Sequence, residues 1–135
     1  MSILTTKTAD GIELIGFTLT TYKNLQEVWA RLSMFFGDAE DQIEAGNMTQ
    51  AEMDAFYEVW LSNMPTPYIW APYSVLELID AVAGDEAHNN HANARTEKHL
   101  GNRAEYLRAA RMWSAVEFAC IQALAQYRAN RKDKW

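Results

Sequence analysis

Over the first twenty residues the hydrophobic positions follow a two-residue period. "SILTTKTA" and "IELIGFTLT" are rich in β-branched residues and flank Asp10-Gly11, a pair suited to a tight turn with positive φ. Ile15, Phe17 and Leu19 then share one face of the second strand. The pattern predicts a β-hairpin over residues 1–20. Because an isolated hairpin is marginal in water, it must lie against other elements.

From residue 24 to about 130 the period lengthens to that of a helix. Leu25, Val28, Trp29, Leu32, Phe35 and Phe36 form one apolar stripe, and Met53, Phe56, Tyr57, Trp60, Leu61 and Met64 a second. Val75, Leu78, Ile79 and Val82 form a third. The longest predicted helix covers residues 103–128. Tyr106, Ala110, Trp113, Cys120, Leu124 and Tyr127 lie along one side, with Leu107, Phe118 and Ile121 beside them. So wide an apolar arc predicts a central helix that touches several others. A short helix over 39–45 also fits, although it is mostly polar.

The punctuation agrees with these stripes. Asn24 with Glu27, Thr49 with Glu52, Ser74 with Glu77 and Asn102 with Glu105 each pair an N-cap residue with a Glu three positions on. Gly37, Gly46 and Gly84 stand where helices are expected to stop. The predicted fold is therefore mainly α (α+β): an N-terminal β-hairpin packed on about four helices, the C-terminal helix long and central. No internal repeat or low-complexity linker interrupts residues 1–135, so a single domain is expected.

Composition adds bounds. A chain of 135 residues, 49% of them hydrophobic, can bury a core without staples. A single cysteine, Cys120, excludes an internal disulfide framework and fits a reducing compartment. The start "MSILTTKTADG" lacks the basic and apolar regions of a signal peptide, and no uncharged apolar run approaches the roughly 18–20 residues of a membrane span. A cytoplasmic location with no membrane association is expected.

The net charge of −6 is unevenly distributed. Between Leu32 and Ala94 there is no Lys or Arg, while Asp38, Glu40, Asp41, Glu44, Glu52, Asp54, Glu58, Glu77, Asp80, Asp85 and Glu86 all fall in that window. From Arg103 onward the sign reverses, with Arg103, Arg108, Arg111, Arg128, Arg131, Lys132 and Lys134 against Glu105, Glu117 and Asp133. Such asymmetry bears on partners and association rates rather than on fold.

All three histidines fall within "DEAHNNHANARTEKH". His88 and His91 fall on one helical face, with His99 downstream, and together with Glu77 and Asp80 they are the alternative, a metal site. The spacing matches neither HExxH nor the Glu-x-x-His pairs of di-iron bundles. Asn89, Asn90 and Asn93 suit a turn, so the expectation is a solvated loop or frayed polar helix, with no metal and no cofactor.

Glu40, Asp41 and Glu44, followed by Glu77 and Asp80, resemble the paired acidic motifs of all-α nucleotide pyrophosphohydrolases. In that family two helices present carboxylates to Mg²⁺ against a triphosphate, which oxygen ligands suit. The resemblance covers these five residues, and an extra helix separates the two groups. It implies a metal-dependent nucleotide hydrolase as the alternative function. An EF-hand over 38–49 is excluded, because Ile43 stands where Gly is needed and Thr49 where Glu is needed.

Glu117 sits within the apolar arc of the terminal helix and is expected to be buried and paired with Arg128 or a tyrosine hydroxyl. Ser114 and Cys120 have no histidine within sequence reach, so no nucleophile is nominated and Cys120 belongs to the core. "MPTPYIWAPY" is stiffened by three prolines and reads either as a rigid loop presenting Tyr68, Ile69, Trp70 and Tyr73 to a partner or as a cap on the core. The basic terminal segment reads as a solvated helix end, since the acidic middle opposes direct nucleic-acid binding.

The function expected is that of a small non-enzymatic interaction protein docking on a basic surface of another protein. The residues assigned to that contact are Asp38, Glu40, Asp41, Glu44, Asp54, Glu58, Tyr68, Trp70 and Tyr73. A nucleic-acid-binding protein offers such a surface. By analogy of size and charge, the chain resembles phage and mobile-element accessory proteins that inhibit host proteins of this kind. A homo-oligomer is a further option.

Overall fold

The computed structural model describes residues 4–17, 35–62 and 69–132. Two strands, β1 (Leu4–Lys7) and β2 (Glu13–Phe17), pair antiparallel with Thr5 opposite Ile15. The turn between them closes with the Gly11 amide donating to the Thr8 carbonyl at 2.9 Å, and Gly11 has φ +88°. That left-handed position is why glycine follows Asp10. A third strand, β3 (Ile69–Ala71), pairs with the other edge of β2, placing Trp70 opposite Gly16. The helical segment expected over 24–130 is thus interrupted by a strand.

Four helices follow the hairpin among the described residues: α1 (Phe35–Glu44), α2 (Gln50–Ser62), α3 (Tyr73–Thr96) and α4 (Leu100–Lys132). The Leu25, Val28, Trp29 and Leu32 stripe and the Asn24–Glu27 cap lie outside the described residues. So do Leu19, Tyr68 and Met64.

Helix α1 ends in a Schellman motif. The Gly46 amide donates to the Ile43 carbonyl at 3.1 Å and the Asn47 amide to the Gln42 carbonyl at 3.0 Å, with Gly46 at φ +82°. Helix α2 begins with the expected capping box: the Glu52 amide donates to Thr49 Oγ1 at 3.2 Å, and the Thr49 amide to Glu52 Oε1 at 3.0 Å. The second oxygen of Glu52 accepts the Ser74 hydroxyl at 2.6 Å, joining the first turns of α2 and α3.

Four helix boundaries differ from those expected at Gly37, Gly84, Ser74 and Asn102. Gly37 lies inside α1 and Gly84 inside α3, so neither is a stop. The N-cap of α3 is Pro72, not Ser74. Helix α4 starts at Leu100, and its cap is His99, whose Nδ1 accepts the Asn102 amide at 3.3 Å.

Residues 97–99 join α3 to α4, and the two helices run antiparallel: Gly84 meets Glu117 near the middle, and Tyr73 meets Tyr127 and Arg128 at one end. At about 1.5 Å per residue, α4 spans roughly 50 Å. Its buried side includes Met112, Trp113, Val116, Cys120 and Leu124, which form one cluster with Ile15 and Phe17 of β2, Phe56 of α2 and Val75, Leu76 and Ile79 of α3. The long terminal helix is central, as its apolar arc predicted. The opposite flank of that arc is not covered: Leu107, Phe118 and Ile121 are exposed.

Candidate functional site

The acids assigned to a partner divide between two adjacent helices. Asp38, Glu40, Asp41 and Glu44 lie on α1, and Asp54 and Glu58 on α2. All six are exposed. Among the described residues none of them is ion-paired; the two ion pairs found are Arg108–Glu105 and Arg128–Glu77, both at 3.2 Å. Asp54 Oδ1 accepts the side-chain Nε2 of Gln50 at 2.8 Å.

Two of these acids oppose the stability of their own helix. Asp41 and Glu44 occupy the last turn of α1, which carries no basic residue. The carbonyl end of a helix carries partial negative charge, so each carboxylate there costs about 0.3–1 kcal/mol. Local helix stability therefore gives no reason for them.

Glu40, Ile43 and Ala39 of α1 face Met53, Asp54 and Tyr57 of α2 across a groove of about 240 Å³. Tyr57, expected in the core from its stripe, is 43% exposed beside this groove, whereas Met53 and Phe56 are buried. The helical stripe was wider than the surface that its neighbours cover.

Trp70 and Tyr73 are placed by the fold rather than by a free loop. The Trp70 ring lies so close over Gly16 that a Cβ there would stand 2.7 Å from Cζ3. Only glycine leaves room for it. Tyr73, the first residue of α3, has its ring centroid 5.2 Å from that of Tyr127, and its hydroxyl accepts Arg128 Nε at 2.8 Å. Both side chains are half-buried. Of the loop residues assigned to a partner, these two serve internal contacts.

Glu77 and Asp80 face α4. Glu77 accepts Arg128 Nη2 at 3.2 Å. Burial, then the Glu117 charge, raises the Asp80 carboxyl above its ordinary range; Arg128 opposes this and Glu77 adds to it. Burial, and then Asp80 and Glu117, push the Cys120 thiol well above its usual value, so the thiolate is suppressed and Cys120 acts as core. Glu117 is only half-buried, and Arg128 is engaged by Tyr73 and Glu77 instead. Its carboxylate lies over Gly84. The pairing expected of Glu117 is not made among the described residues.

A cleft of about 380 Å³ between α1 and α3 receives Glu77, but from α1 it is Gln42 that lines it, not Glu40, Asp41 or Glu44. The two acidic groups do not share that cleft. The histidine segment is helical through Thr96, with His88 and His91 exposed on α3 and His99 capping α4. Among the described residues no three His, Cys, Asp or Glu side chains come together as ligands for a metal ion. Among the same residues no helix is long and apolar enough to cross a membrane. No family model, curated protein or solved structure matches the chain.

Proposed function

We propose that this protein is a small non-enzymatic interaction protein whose α1–α2 face docks on a basic surface of a partner protein. The observation that carries the reading is the arrangement of Asp38, Glu40, Asp41, Glu44, Asp54 and Glu58: six exposed acids spread over two neighbouring helices, two of them against the dipole of their own helix. Carboxylates gathered in a cleft would favour a metal ion. Carboxylates spread over a face favour many weak contacts with a cationic surface. A protein that binds nucleic acid presents such a surface, and covering it with carboxylates in place of phosphates would inhibit it.

The test is kinetic. Association with an immobilised arginine- and lysine-rich protein segment should slow steeply as salt rises, because steering between unlike charges is screened. Rates that do not change with salt would count against the reading. Mg²⁺-dependent turnover of a nucleoside triphosphate that disappears on Glu77→Gln would replace it with the hydrolase alternative.

A further inference from the structure

The α1–α2 groove combines an apolar floor with an acidic rim, and that combination selects one kind of side chain. Ile43 and the edge of Met53 supply the apolar surface above the buried Ala39, Glu40 and Asp54 the charge, and Tyr57 an exposed ring. We infer that the groove receives a single arginine side chain of the partner. The inference rests on the docking reading above and names the contact within it.

Size is the first argument. About 240 Å³ lies below the roughly 300–1,000 Å³ of ordinary small-molecule sites, so the space suits one side chain rather than a whole ligand. Chemistry is the second. A long side chain with a methylene stem and a charged head covers apolar surface while its head stays at the rim. The stem would lie on Ile43 and Met53, and the head between Glu40 and Asp54. Arginine fits better than lysine, because its planar guanidinium forks onto carboxylates and stacks on aromatic rings, whereas an ammonium is a compact, strongly hydrated point charge. Gln50 already holds one oxygen of Asp54 at 2.8 Å, which orients the carboxylate and leaves its other oxygen as an acceptor. Among the described residues neither Glu40 nor Asp54 is ion-paired, so an incoming guanidinium displaces no described cation.

The experiment is an amide chemical-shift titration of the full chain with N-acetyl-arginine methylamide, its lysine counterpart and its uncharged norleucine counterpart. The arginine probe should move amides of Ala39, Ile43, Met53 and Tyr57, and bind more tightly than the lysine probe. The Glu40→Gln/Asp54→Asn double variant, which keeps shape and removes charge, should weaken it by about tenfold, the scale of a lost charge-assisted hydrogen bond. Tyr57→Leu should narrow the preference for arginine over lysine. Shifts scattered over all exposed acids, equal binding of the arginine and lysine probes, or equal binding of the norleucine probe would overturn the inference. If an arginine-rich peptide still binds the α1–α2 face in a salt-dependent way while the single arginine fails to enter the groove, this inference falls and the docking reading stands. If the peptide does not bind that face either, both fall.

Discussion

The carboxylate of Glu117 on α4 lies directly over Gly84 on α3, where a side chain of any size would strike it. The missing Cβ leaves room for the carboxylate between the two helices. A glycine inside a helix ordinarily costs about 1 kcal/mol relative to alanine, so Gly84 gives up helix propensity for that fit. Gly84→Ala should therefore stabilise the Glu117→Ala protein by about 1 kcal/mol, and should help the native protein less, since Glu117 must swing aside. Urea melts of the four proteins give the coupling. Equal effects of Gly84→Ala in both backgrounds would mean that the contact has no energetic weight.

Asp80 lies close by and predicts a pH dependence. Its carboxyl, raised above its ordinary value of 3.8 by burial and by Glu117, holds its proton more tightly in the folded chain than in the unfolded one. The stability that it contributes is fully present below that ordinary value and is lost as pH rises through the folded pKa. Ionised Asp80 is then a burden at neutral pH. Asp80→Asn should raise Tm at neutral pH, with the gain shrinking as pH approaches 3.8. A variant less stable than the native chain at neutral pH would show that attraction to Arg128 outweighs burial and the neighbouring acids.

Trp113, 1% exposed at the centre of α4, should cost roughly 3–5 kcal/mol when replaced by alanine. Trp70 is half-buried over Gly16 and should cost less. Denaturant midpoints of the two variants check the order. A larger loss at Trp70 would place the energetic centre in the sheet rather than between the helices.

How far these features could be read in advance depended on how local they are. The Thr49–Glu52 box and the Gly46 stop were legible because every atom involved lies within a few residues in the chain. Gly84 was misread as a stop because its reason, Glu117, is thirty-three positions away and belongs to another helix. Strand β3 was missed for the same cause: three residues in a proline-rich stretch become a strand only through pairing with β2. The acids were legible as a charge pattern. The groove was not, because periodicity put Tyr57 in the core and could not say which side of α2 its neighbours leave open.

Under the proposed docking, Glu44 would link stability to function. Sitting at the carbonyl end of α1, it should weaken that helix, so Glu44→Gln is expected to stabilise the chain by about 0.3–1 kcal/mol while slowing association with a basic partner. Thermal melts and association rates on the same variant test both halves. A drop in Tm would show that Glu44 has a structural task.

If the α1–α2 face is the docking surface, binding depends on where the acids lie and not on net charge alone. Two triple variants of equal charge separate these: Glu40, Asp41 and Asp54 to Lys on the α1–α2 face, and Asp10, Asp85 and Glu105 to Lys elsewhere, all six positions being exposed. Association of each with an immobilised arginine- and lysine-rich protein segment, followed at low and high salt, is the direct measurement. The first variant should lose binding with its helicity intact, and the second should keep most of it. Equal loss in both would contradict the account, leaving only a nonspecific effect of total charge.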